Sequence, residues 1–201
     1  MKAQAIMTID IREEHHGHLL KLLQDNIQTY FEETSSSLDE ITDMDCADRI
    51  PAPKLMALIG FFGEHIQGNL QLICCQYDVP HLYPILKECL SEALTREEQL
   101  AMYADALGEL SNQLLGRFKN NLLEQGVTLQ MGIPSLVKSR HIEALNTPSF
   151  PTLHRSFYLL QGDIVMQVCV SMLLAEEFDL TSNYNQTEDE PMLQPGEMLI
   201  F

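Results

Sequence analysis

Glu109 and Asn112 combine residue types and a spacing that could act together on a partner. They stand three positions apart, and in a helix that separation makes their side chains neighbours on one face. Taking Leu107 as zero and about 100° per residue, Asp105, Glu109, Asn112 and Gly116 fall between about 140° and 200°. On the same wheel Leu100, Tyr103, Leu110, Leu114 and Phe118 lie within about 60° of Leu107 and form the stripe that must be buried. The polar group therefore sits almost opposite the core, where a carboxylate and an amide can reach together into one pocket of a partner. Gly116 is the odd member, because glycine inside a helix costs roughly 1 kcal/mol relative to alanine. Close approach of a partner backbone is one reason for its presence. Spacing alone assigns no reaction, since the same pair serves equally well as an ordinary solvated face.

Other groups are weaker candidates. His15, His16 and His18 could offer a metal side chains three apart, but they lie where a helix is expected to start and no further ligand is near in sequence. Asp43, Asp45 and Asp48 suggest a calcium loop, yet the turn glycine and the closing glutamate are missing. Gly60 to Gly68 is glycine-rich but joins two strands and opens no helix, so it is not a phosphate cradle. Cys74 and Cys75 are consecutive in a strand and point to opposite faces, so a bridge between them would be strained. The five cysteines, Cys46, Cys74, Cys75, Cys89 and Cys169, follow no ligand spacing and read as reduced, small core residues. No metal or cofactor site of the chain's own is expected.

The elements that position these residues follow from periodicity. Gly17 to Thr34 carries a broad apolar stripe through Leu19, Leu20, Leu23, Ile27, Tyr30 and Phe31, and the serines at 35–37 stop it. A polar edge strand fits Leu38 to Ile50. Leu55 to Phe62 and Leu70 to Tyr77 read as a hairpin whose loop, Gly63 to Asn69, contains two glycines. A short helix fits His81 to Leu94, with Pro84 in its first turn. Thr95 and Glu98 form a capping box that starts the long helix bearing the polar stripe, and Gly126 supplies the left-handed residue just beyond its end near Glu124. Strands are expected at Val127 to Ile133, Leu136 to Ser139, Arg155 to Leu160 and Ile164 to Leu174, with Gly162-Asp163 turning between the last two.

Composition bounds the partners. The 201 residues are 45% hydrophobic and 20% charged, which suits a globular domain with a core. We expect one domain over 1–180 and an acidic tail over 181–201. Twelve Lys and Arg against 29 Asp and Glu give a net charge of −17, which repels nucleic acid and anionic lipid. No apolar run approaches the roughly 20 residues needed to span a bilayer, and the start lacks a signal-peptide pattern. A cytoplasmic protein is expected.

The run Asp105-Ala-Leu-Gly-Glu109-Leu-Ser-Asn112-Gln-Leu-Leu-Gly116 resembles the signature helix of the CheC/CheX/FliY phosphatase family. That motif is Asp, three residues, Glu, two residues, Asn, and a glycine four further on. The element order and the run Gln130-Met131-Gly132-Ile133-Pro134-Ser135-Leu136-Val137 are similar too, so the resemblance covers about Gly17 to Leu174. There are departures: Leu23 precedes Asn26 where a second Glu-x-x-Asn site would need glutamate, leaving one site as in CheX. Arg117 also stands where the family commonly has Asn.

The resemblance implies an α/β (α+β) CheC/CheX-like fold, with an antiparallel-rich sheet packed against two long helices and one short helix. It implies a phosphatase acting on the aspartyl phosphate of a CheY-like response regulator, in chemotaxis or a related two-component pathway. Asn112 would orient the attacking water and Glu109 would pair with the regulator's lysine. Asp105 and Gly116 would support the site or touch the partner, and Mg²⁺ would be bound by the regulator. A homodimer is implied as well, with Ile164 to Leu174 a candidate for strand pairing between subunits. An inactive CheX-like adaptor that binds a signalling partner is the alternative.

Overall fold

The computed structural model describes residues 2–34, 40–42, 47–82, 94–138, 153–175, 178 and 180, and in the first helix side chains from residue 17 to 33. That helix, α1, runs Lys2–Thr34 and starts well before Gly17. Residues 2–16 hold strong helix formers such as Lys2, Ala3, Gln4 and Ala5 and no proline, so nothing stops the helix at Gly17. The histidine run thus lies inside a helix and not at its start. Leu19, Leu23, Ile27, Tyr30 and Phe31 form its buried stripe.

Strand β1 (Glu40–Thr42) is an edge strand much shorter than the one expected over Leu38 to Ile50, since Ala47–Arg49 forms a 3₁₀ turn instead. β2 (Lys54–Phe62) and β3 (Ile66–Cys75) form the hairpin. Its loop is shorter than the glycines suggest, because Gly68 belongs to β3. A Cβ there would lie 2.2 Å from the Ser171 carbonyl oxygen of the neighbouring strand, so glycine permits the close approach. One turn of helix follows, α2 (Val79–Leu82); most of the helix expected over His81 to Leu94 lies outside the described residues. The long helix α3 spans Arg96–Leu123. β4 (Gln130–Met131), β5 (Ser135–Lys138), β6 (Leu153–Gln161) and β7 (Ile164–Leu174) complete the sheet. Gly162 turns between the last two with φ +58.

Among the described residues seven strands form one sheet in the order β1-β6-β7-β3-β2-β4, with β5 also on β2, and every pairing is antiparallel. β7 is hydrogen-bonded to β6 on one side and β3 on the other. This corrects one expectation: Ile164 to Leu174 has no free edge for pairing with a second subunit. Its near-continuous apolar run reflects burial on both faces. Met166, Val168, Val170 and Met172 join the core beneath α1 and α3. Val165 and Cys169 join a second cluster on the opposite face with Ile50, Met56, Ile73, Cys75 and Tyr158. Cys74, Cys75 and Cys169 are free and buried. Burial pushes the Cys74 thiol far above its ordinary value, so it stays a protonated core residue. Cys46, Cys89 and the tail at 181–201 lie outside the described residues.

Candidate active site

The capping box fixes where α3 begins. Glu98 N–H donates to Thr95 Oγ1 at 3.3 Å, while the Thr95 N–H donates back to Glu98 Oε2 at 2.8 Å. The Thr95 N–H and the Thr95 hydroxyl, which both donate to Glu98 Oε2, hold that carboxyl below its ordinary range. At the other end Gly126 takes φ 77 and closes the helix. Between these stops Leu107, Leu110, Leu114, Phe118 and Leu122 are buried, and Phe118 meets Phe61 of β2 edge to face with centroids 6.4 Å apart. Leu100 and Tyr103, placed in the same stripe by the helical wheel, are half-buried at its margin.

With that face committed to the sheet, the stripe opposite turns outward. Asp105 and Glu109 are exposed, and Asn112 and Gly116 are half-buried. The structure therefore brings all four sequence-predicted residues onto one accessible face. Among the described residues no other side chain holds the Asn112 amide, whereas Glu109 Oε1 accepts from Gln113 Nε2 at 2.8 Å. A Cβ at Gly116 would meet nothing within 4 Å, so nothing among the described residues demands glycine there. Ser111, within the motif, is fully buried and donates to the Gly108 carbonyl oxygen at 2.7 Å. Gly108 faces Pro134, whose Cβ would lie 3.6 Å from a Cβ added at 108. The β4–β5 loop, with Ile133 88% exposed, thus flanks α3 on the side away from α1.

α1 flanks the stripe on its other side, and here the structure adds residues that periodicity did not single out. Tyr30 Oη donates to Gln113 Oε1 at 2.5 Å. The Arg117 guanidinium lies 5.0 Å from the centre of the Tyr30 ring and pairs with Glu33 at 2.5 Å. Gln113 could have been found from sequence as the residue four after Glu109; Tyr30, 83 positions away from Gln113, could not. Leu23 and Asn26 are both buried, and Asn26 Nδ2 donates to the Leu114 carbonyl oxygen at 3.1 Å. Asn26 serves the interface between helices, so α1 presents no second site. A polar groove of about 480 Å³ beyond Arg117 is lined by residues such as Asp25, Thr29 and Asn120, and includes neither Glu109 nor Asn112. The candidate site is a protruding helix face, a shape suited to entering a partner's cleft. Among the described residues no group of three His, Cys, Asp or Glu could hold a metal, and no helix is long and apolar enough to cross a membrane.

An antiparallel sheet backed by two helices, one presenting Asp-x-x-x-Glu-x-x-Asn to solvent, defines a CheC/CheX-like domain. The chain belongs to the chemotaxis phosphatase CheX family, whose sequence model matches residues 55–157. Solved structures share the fold. A CheX–CheY–BeF3–Mg²⁺ complex from Borrelia burgdorferi superimposes with a TM-score of 0.61 at 13% identity, covering 77% of this chain and 97% of that one. A chemotactic CheC-like protein from Shewanella oneidensis gives a TM-score of 0.54 at 18% identity, covering 77% and 97%. The chemotaxis protein CheX from Vibrio vulnificus gives 0.52 at 14%, covering 77% and 99%. No curated protein sequence matches the chain.

Proposed function

We propose that this chain hydrolyses the aspartyl phosphate of a CheY-like response regulator, with Asn112 and Glu109 entering the regulator's active site. The observation that carries this function is the pair itself: a carboxylate and an amide that no side chain among the described residues holds, side by side and accessible on a helix locked at both ends. The family match and the fold shared with a CheX that was solved in complex with CheY support it.

In the reaction water attacks phosphorus in line, the bond from phosphorus to the aspartate oxygen breaks with its electron pair leaving on the carboxylate, and the water proton passes to the released phosphate. Such a step needs placement of the water and stabilisation of charge on the phosphoryl oxygens more than covalent help. An amide fits the first need, because Asn112 offers an acceptor to the water and two donors to nearby oxygens. Glu109, held on one oxygen by Gln113, keeps its other oxygen to pair with the regulator's lysine and so registers Asn112 against the phosphate. Asp105, one turn before Glu109, has a supporting role, and Gly116 lets the partner backbone approach. Mg²⁺ belongs to the regulator's own acids, where it neutralises the phosphoryl oxygens when bound.

Two further properties belong to the same proposal. The protein works in the cytoplasm, where its substrate is found. Its homodimer pairs through an edge strand, β1, β4 or β5 among the described residues, since β7 is interior.

The test is phosphate release from a panel of phosphorylated response regulators with and without this protein. Acceleration of at least one regulator is expected. If none is accelerated, the phosphatase function is refuted and a binding adaptor takes its place.

A further inference from the structure

The first helix carries no second Glu-x-x-Asn pair, yet it reaches the pair on α3. Tyr30 is buried on α1, and its hydroxyl donates to Gln113 Oε1 at 2.5 Å while Gln113 Nε2 donates to Glu109 Oε1 at 2.8 Å. The direction of this chain of donors follows from the groups themselves. An ionised carboxylate can only accept, so the amide must turn its NH₂ toward Glu109 and its oxygen toward the phenol, which donates. Tyr30 is in turn clamped by the edge of Phe31, with centroids 5.2 Å apart, and by Arg117 over its ring at 5.0 Å. Arg117 is itself held to α1 by Glu33.

An exposed glutamate on a helix samples many rotamers, and in the docked complex each rotamer that fails to register Asn112 against the phosphate costs turnover. A donor fixed from the protein interior removes part of that cost and leaves the second carboxylate oxygen facing outward. A surface pair at i, i+4 accounts for the bond from Gln113 to Glu109. It does not account for a buried phenol on another helix, 83 positions away, aimed at the same amide. The family match begins at residue 55, so Tyr30 and the rest of α1 lie outside it.

We infer that Gln113, oriented by Tyr30, is a positioning residue that presents the Glu109 carboxylate to the cation of the partner's active site, an inference that rests on the function proposed above. The experiment is a double-mutant cycle with Tyr30→Phe, Gln113→Leu and the double variant, reading kcat and KM for phosphate release from a phosphorylated regulator. Gln113→Leu should lower kcat by roughly three- to tenfold, the effect of one orienting hydrogen bond, with KM little changed. Tyr30→Phe should lose less, and the double variant should be no worse than Gln113→Leu alone, because the Tyr30 hydroxyl reaches Glu109 through Gln113. Additive losses, an effect on KM alone, or unchanged kcat would overturn the inference. A second measurement needs no turnover: the side-chain NH₂ of Gln113, followed by NMR, should exchange slowly with water and shift toward the value of an exposed glutamine in Tyr30→Phe. If no regulator is hydrolysed the proposed function falls, and the spectrum still decides whether Tyr30 orients Gln113. An unchanged Gln113 signal refutes that orientation even where turnover is seen.

Discussion

Replacing Gly116 by alanine should move stability and function in opposite directions. Gly116 lies in the interior of α3, and a Cβ built on it meets no atom of the described residues within 4 Å. The folded chain therefore has no steric objection to a methyl group, and alanine gains about 1 kcal/mol of helix propensity over glycine. For a chain of this size, that corresponds to a rise in Tm of about 2–4 °C. The functional effect has the other sign. If a partner backbone rests on α3 at this point, the methyl forces the Glu109–Asn112 pair outward, and a displacement near 1 Å at a reacting centre can cost about 100-fold in rate. A thermal melt and a titration of phosphorylated regulator against phosphate release separate the two effects: Tm should rise while kcat/KM falls, mostly through kcat. A variant that is more stable and equally active would show that no partner approaches Gly116. A variant that melts lower would show that the open space beside it is wrongly described.

Three further outcomes follow from packing and protonation. Gly68→Ala should cost about 1–3 kcal/mol in urea unfolding, because its Cβ would lie 2.2 Å from the Ser171 carbonyl oxygen; a loss too small to resolve would mean that β3 and β7 separate freely. Leu23→Glu restores the Glu-x-x-Asn spacing on α1, but Leu23 is 3% exposed, so it should destabilise by roughly 3 kcal/mol or more and add no activity; a stable variant with raised turnover would contradict the structure. His154 is half-buried against Ser171 Oγ at 2.7 Å, and burial, with Arg155 nearby, lowers its pKa from the ordinary 6.5. The unfolded chain then binds more protons below pH 6.5, so this group's contribution is present above 6.5 and is lost as pH falls toward the folded value. Melts at descending pH should show a steeper fall for the wild type than for His154→Asn, and parallel curves would refute the assignment.

What could be read from the sequence was local. The capping box at Thr95 and Glu98, the stop at Gly126 and the outward stripe of Asp105, Glu109, Asn112 and Gly116 all depend on residues within a few turns of one another, and the structure reproduces them. What could not be read was the pairing of distant segments. β7 is apolar on both faces because it is central, and the sequence pattern cannot say which strand flanks it. Gly68 looked like a loop residue because its reason, the Ser171 carbonyl, lies on a strand about a hundred positions on. The polar support of Glu109 was hidden for the same reason: Tyr30 belongs to the core stripe of α1 by periodicity, and only the packing of α1 on α3 shows where its hydroxyl points. The N-terminal extension of α1 was missed because residues 2–16 have helix propensity without a regular apolar face.

The most direct test of the central claim compares wild type with Asn112→Ala at saturating phosphorylated regulator, alongside binding to the same regulator carrying beryllofluoride in place of phosphate. Among the described residues no side chain holds Asn112, and it is half-buried, so its truncation should leave the fold and the binding intact and abolish nearly all of the added rate of phosphate release. Full activity in Asn112→Ala, with binding unchanged, would contradict water placement by this amide.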